Sequence, residues 1–153
     1  MNKAVKITAI VAIVGVTGWL AHLHVISQTY YPLLQMSSPD GLVYTAVHDE
    51  TGERQRCGAV NDRFIGPVRA SCKNCEVVYA RCDRELSGLD AALMAARPVP
   101  HHVVQSPGLR LAVSGPLAAA RQACEFIAGD LLKRGYRSAT CVYPQSPTTT
   151  PGK

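Results

Sequence analysis

The sequence predicts an α+β domain set behind an amino-terminal membrane anchor. Three observations predict it: a charge-free apolar run beside two lysines, a regular alternation of strand-like and helix-like patterns after Glu76, and six cysteines in the body of the chain. The 153 residues leave room for one domain of roughly 100 residues plus a targeting segment.

Between Lys6 and Asp40 there is no Asp, Glu, Lys or Arg, and residues 7–26 are mostly Ile, Val, Ala and Leu. About 20 apolar residues, rising about 1.5 Å each, cross a hydrocarbon core of roughly 30 Å. Residues 7–26 therefore read as a transmembrane anchor behind a short cytoplasmic stub, 1–6. A cleaved secretory signal is the alternative, with Lys3 and Lys6 as its basic region. The apolar run is longer than a signal core of roughly 7–15 residues and no Ala-x-Ala site closes it, so an uncleaved anchor fits better. No Lys or Arg follows the run until Arg54. The positive-inside preference then keeps the amino end in the cytoplasm of a single-pass inner-membrane protein and puts its body in the periplasm. His22 and His24, near Trp19, Tyr30 and Tyr31, read as interfacial anchors.

Residues 27–40 are uncharged up to Asp40 and hold Pro32 and Pro39, which reads as a connector. The α+β domain is expected over 41–144. Residues 42–48 are rich in β-branched and aromatic side chains, 49–53 supply turn chemistry, and 55–60 return, so a β-hairpin is the expectation. Gly66 and Pro67 make 61–71 an irregular or edge segment. Residues 76–82 form a strand candidate. Ser87 stands as N-cap with Asp90 three residues on, as in a capping box, before a helix with Leu89, Ala92, Leu93 and Ala96 on one face. Pro98 and Pro100 end that helix, and 102–105 form a short strand before the turn at Ser106, Pro107 and Gly108. Residues 109–115 read as a strand and Pro116 opens a helix to about Arg134. Its apolar face comprises Leu117, Ala120, Cys124, Ile127, Ala128 and Leu131, and Gly135 stops it. Residues 138–143 form a last strand, and 145–153 are a disordered Thr/Pro-rich tail. The order from Glu76, strand, helix, strand, strand, helix, strand, is that of a ferredoxin-like βαββαβ sandwich. Both helices are then expected on one sheet face, with the other free for the hairpin, a partner or a ligand.

The cysteines carry the most specific local signal. An even count in an exported domain reads first as disulfides, so Cys57, Cys72, Cys75, Cys82, Cys124 and Cys141 are all disulfide candidates, with fifteen possible pairings. Cys124 on a helix and Cys141 on the strand after it suit one bridge. Two other readings stay open for the first four. Cys72 and Cys75 form a C-x-x-C pair capable of thiol-disulfide exchange, although a strand, not a helix, follows them. Alternatively Cys57, Cys72, Cys75 and Cys82 supply four sulfurs to zinc if the domain is cytosolic.

Other candidates have ordinary explanations. His101 and His102 are adjacent, so on a strand they face opposite ways and cannot share a metal; solvent exposure accounts for them. Asp83 and Glu85 beside Arg81 and Arg84 read as a solvated charged loop. After Ile26 there are fourteen Lys and Arg against eleven Asp and Glu, a net charge of +3. With no basic block or interleaved aromatic stripe, nucleic acid is not an expected partner. No nucleophile elbow, phosphate loop, HExxH or dinucleotide fingerprint occurs, so neither a catalytic residue nor a cofactor is expected.

The segments CKNCEVVYARCDRELSGLD, SPGLRLAVSGP and ACEFIAGDLLKRGYRSATCVYP resemble small inner-membrane proteins found alongside bacterial nucleotide-sugar epimerases and dehydratases of surface-polysaccharide pathways. The resemblance implies a process and supplies no catalytic residues. In element order alone the domain is also similar to the SPOR domains that bind peptidoglycan strands. The functional expectation is a non-catalytic, membrane-anchored binding or scaffold module, recognising an envelope glycan or a membrane-protein partner through its sheet and Arg-rich loops. A periplasmic thiol-disulfide protein using Cys72 and Cys75 is the alternative.

Overall fold

The computed structural model describes residues 29–72 and 74–144. The expected stub, anchor and tail lie outside the described residues. No helix among the described residues is long and apolar enough to cross a membrane.

The described chain is an α+β domain built on one six-stranded antiparallel sheet. In chain order its elements are β1 (Tyr31–Ser37), β2 (Val43–His48), α1 (Arg54–Ser71), β3 (Glu76–Asp83), α2 (Gly88–Met94), β4 (His102–Ser106), β5 (Leu109–Ser114), α3 (Leu117–Lys133) and β6 (Thr140–Val142). The strand order across the sheet is β3-β1-β2-β5-β4-β6.

That order corrects the ferredoxin-like expectation. A split βαβ unit does form at β5-α3-β6, with β4 lying between its two strands. The strands joined by α2, β3 and β4, are separated by β1, β2 and β5, and α2 crosses on the sheet face opposite α3. Neither face is left free. The reason lies in the amino-terminal part: β1 and β2 insert into the middle of the sheet, where the expectation had kept them outside it.

Two ββαβ units of the same connectivity result, β1-β2-α1-β3 and β4-β5-α3-β6. Each lays its outer strand against the first strand of its hairpin, so the order has the same form from either edge. The units join through β2 and β5, with Ala46 opposite Leu111 near the midpoint.

Three boundaries move for physical reasons. The connector expected over 27–40 contains β1, whose Leu33, Leu34 and Met36 are each 1% exposed. A strand buried on both faces needs apolar residues at consecutive positions, so it lacks the alternation that marks a half-buried strand. Pro32, second in the strand, is also fully buried. Residues 55–60 are the first turns of α1 and not a returning strand. Cys57, Asn61, Phe64 and Ile65 recur at helical spacing and face the sheet, and this tertiary packing outweighs the helix-weakening Gly58, Gly66 and Pro67. Finally, Ser87 is the N-cap of α2 but makes no side-chain capping bond. Asp90 instead lies buried, with an oxygen 3.7 Å from the Arg81 guanidinium.

The core is double. On one face α1 and α3 cover Leu34, Met36, Ala46, Leu111 and Val113; on the other Leu86, Leu89, Leu93, Met94 and Val99 cover Leu33, Val47, Val103 and Ala112. His102, expected in solvent, is 4% exposed and meets the Tyr143 ring edge-on at 5.6 Å. Tyr30 and Tyr31, expected in an interfacial belt, belong to the domain: Tyr30 bridges to Thr51, and the Tyr31 hydroxyl donates to Glu50.

Candidate functional site: a cleft between two helices

Side chains alternate along a strand. Tyr44, Ala46 and His48 of β2 therefore face α1 and α3, together with Leu34 and Met36 of β1 and Leu111 of β5. Over this central floor the two helices stand apart. α1 packs on β1 and β3, and α3 packs on β4, β5 and β6, so each sits over its own half of the sheet. A disulfide holds each there: Cys57 of α1 to Cys82 of β3, and Cys124 of α3 to Cys141 of β6, with Cα atoms 6.0 and 5.6 Å apart. Cys57 and Cys124 are fully buried. The gap between the helices is a cleft of about 700 Å³, within the range of small-molecule sites.

The walls follow from helical spacing. On α1, Arg56, Val60, Arg63 and Phe64 line the cleft; on α3, Ala123, Phe126, Ile127 and Asp130 line it, with Arg134 at the carboxyl-terminal cap of that helix. The lower wall and floor are apolar and the rim is charged. Arg134 is paired with Asp130 one turn before it. Arg56 and Arg63, on one face of α1, make no ion pair among the described residues. Phe126 stands 64% exposed at the mouth.

His48 is the polar group of the floor. It is buried, its ring meets Phe64 edge-on at 5.1 Å, and its Nε2 has no hydrogen-bond partner among the described residues. Burial lowers its pKa to about 4, against the opposing pull of Asp49 and of a hydrogen bond to the Gly108 backbone. The ring is therefore neutral at pH 7, with Nε2 enclosed away from solvent. Tyr44, also on the floor, has its pKa raised by burial and by Asp40.

The candidates singled out in the sequence lie elsewhere or at the edge. All six cysteines are in disulfides: Cys72 pairs with Cys75, and no free cysteine remains. The zinc alternative is corrected on this point, since Cys57, Cys72, Cys75 and Cys82 are committed to two bridges and offer no thiolate. Among the described residues, no three His, Cys, Asp or Glu side chains gather to hold a metal. Cys72 borders the cleft directly after the last residue of α1. There the negative end of the helix dipole disfavours a thiolate, the reverse of the placement that activates a C-x-x-C thiol.

Arg81 bonds Asp83 at 2.8 Å and lies over the Tyr79 ring, on the solvated edge strand. His48, Arg56, Arg63 and Phe126 were not singled out by sequence reasoning. A usable signal was present: Arg56 and Arg63 sit seven residues apart, beside the sheet-facing series 57, 61, 64 and 65, which marks a basic stripe beside the buried face once that segment is read as a helix.

No protein-family model, curated protein or solved structure matches the chain.

Proposed function

We propose that the chain is a non-catalytic binding module of the bacterial envelope, anchored by residues 7–26 in the inner membrane, whose ligand enters the cleft between α1 and α3. The observation that carries this reading is a cleft with apolar helix walls whose α1 rim holds two arginines that make no ion pair among the described residues. Such a site has shape and a few fixed polar groups, which is what selective binding requires. Three disulfides accord with maturation in an oxidising compartment. Surface-polysaccharide or cell-wall assembly is the process we assign to it, on the resemblance of its soluble segments. Because α1, α2 and α3 cover the sheet, recognition runs through the cleft and its arginines and not through an open sheet face.

The test uses the full chain with its anchor. A periplasm-dependent reporter fused at Lys153 is expected to be active. Crosslinking in intact cells followed by pull-down is expected to recover envelope-assembly proteins or lipid-linked intermediates with the wild type and not with Ala123→Trp, which fills the cleft from α3. Recovery unchanged by Ala123→Trp removes the cleft from the function, and a reporter active only in the cytosol removes the envelope.

A further inference from the structure

We infer that the cleft selects an anionic single-chain amphiphile: one hydrocarbon chain held between the helix walls and a carboxylate or phosphate head at Arg56 and Arg63. This rests on the cleft being the binding site and adds the chemistry of what fills it.

Two features of the site point to that class. The accessible walls, formed by Val60 and Phe64 of α1 and by Ala123, Phe126 and Ile127 of α3, are apolar. Sugar hydroxyls or a nucleobase edge held between them would bury donors and acceptors with few partners, at a cost of roughly 1–3 kcal/mol each. A methylene chain gains from the same surface. The rim then fixes the sign of the head. Arg56 and Arg63 stand about two helical turns apart on the cleft side of α1 without carboxylate partners among the described residues, whereas Arg134 across the cleft is neutralised by Asp130. An anion therefore gains charge-assisted hydrogen bonds on the α1 side.

Photocrosslinking of the full chain in zwitterionic nanodiscs tests each part. The probe is an N-acylglycine carrying a diazirine in the middle of its chain, and labelled peptides are mapped by mass spectrometry. Labelling is expected on 54–65 and 117–133. The double substitution Arg56→Glu with Arg63→Glu, at exposed positions that leave the core intact, is expected to reduce it about tenfold or more. Excess N-acetylglycine, a head without a chain, is expected not to compete. If the methyl ester of the probe labels the cleft as strongly as the acid, the cleft binds chains without regard to charge: the inference fails while the cleft stands as a site. If the cleft peptides remain unlabelled by acid and ester alike, the hydrocarbon assignment is overturned. The Ala123→Trp pull-down then decides separately whether the cleft serves a ligand of another class.

Discussion

Cys57 and Cys124 occupy corresponding places in the two ββαβ units: each lies fully buried on the helix of its unit and is bonded to the outermost strand of that unit, at Cys82 and Cys141. The two bridges act in opposite directions across the sheet. By holding α1 toward one edge and α3 toward the other, they keep open the gap over Ala46 and Leu111.

The bridges are expected to differ in weight according to the loops they close. Sequence separations of 25, 17 and 3 residues correspond to about 3.5, 3 and 1.5 kcal/mol in the chain-entropy account. Paired Cys→Ala substitutions followed by urea denaturation should rank Cys57/Cys82 as the costliest and Cys72/Cys75 as the mildest. An equal or greater loss at Cys72/Cys75 would refute that ranking and reopen a special role for the pair.

His48 sets a pH dependence. Its pKa is about 4 in the folded chain and near 6.5 when unfolded, so the unfolded chain binds more protons between those values. Stability is therefore complete above roughly pH 6.5 and is lost as pH falls toward 4. By pH 4.5 the loss is on the order of 2–3 kcal/mol relative to neutral pH. His48→Gln, which cannot titrate, is expected to lack this component. The measurement is the wild-type minus variant difference in unfolding free energy at pH 7 and pH 4.5, which cancels the carboxylates common to both.

Gly115 cannot be replaced without distortion. Its φ is +138°, and an added Cβ would lie 2.8 Å from the Gly41 carbonyl oxygen and 2.9 Å from Leu42 Cδ2. Gly115→Ala should destabilise by about 2–3 kcal/mol, from strain and overpacking together. A thermal midpoint within one degree of wild type would mean that the β5–α3 corner relaxes freely.

Ala46 separates a filled core from an open cleft. It is 1% exposed yet borders the gap between the helices. A larger side chain there must displace packed neighbours before it reaches the gap, so Ala46→Leu is expected to cost about 1–3 kcal/mol. A change of less than about 0.5 kcal/mol by denaturant titration would show that α1 and α3 leave room over this position.

Asn61 joins α1 to the edge strand, its Nδ2 donating to the Arg81 carbonyl at 3.0 Å while its Oδ1 stays buried without a partner. Asn61→Ala removes one bond and one unsatisfied acceptor together, so the net loss should be only about 1 kcal/mol by denaturant titration. Asn61→Asp, which places a charge where Oδ1 is unpartnered, is expected to cost more at pH 7 than at pH 4.

The carboxyl-terminal half was legible because its signals are local. Pro116 and Gly135 bracket α3 within a residue or two, the short Pro107–Gly108 turn joins β4 to β5 with Gly108 at φ +78°, and the Cys124 and Cys141 patterns already placed a buried helix face beside a strand. The amino-terminal half was not. β1 is buried on both faces and shows no alternation, and α1 carries two glycines and a proline that argue against a helix until Cys57, Phe64 and Ile65 find the sheet. The cleft was hidden for the same reason, since one of its walls is α1.

By itself, the sequence determined what adjacent residues can decide: that the described domain mixes strands and helices, where most elements after Glu76 begin and end, and that its six cysteines suit disulfides. Only the tertiary structure decided which strands are neighbours, which cysteines meet, and that Arg56, His48 and Ile127 border one cleft. The physical reason is range. Turns, caps and periodicity act over a few residues, whereas pairing β1 with β3 or β2 with β5 depends on burying surfaces brought together from positions tens of residues apart.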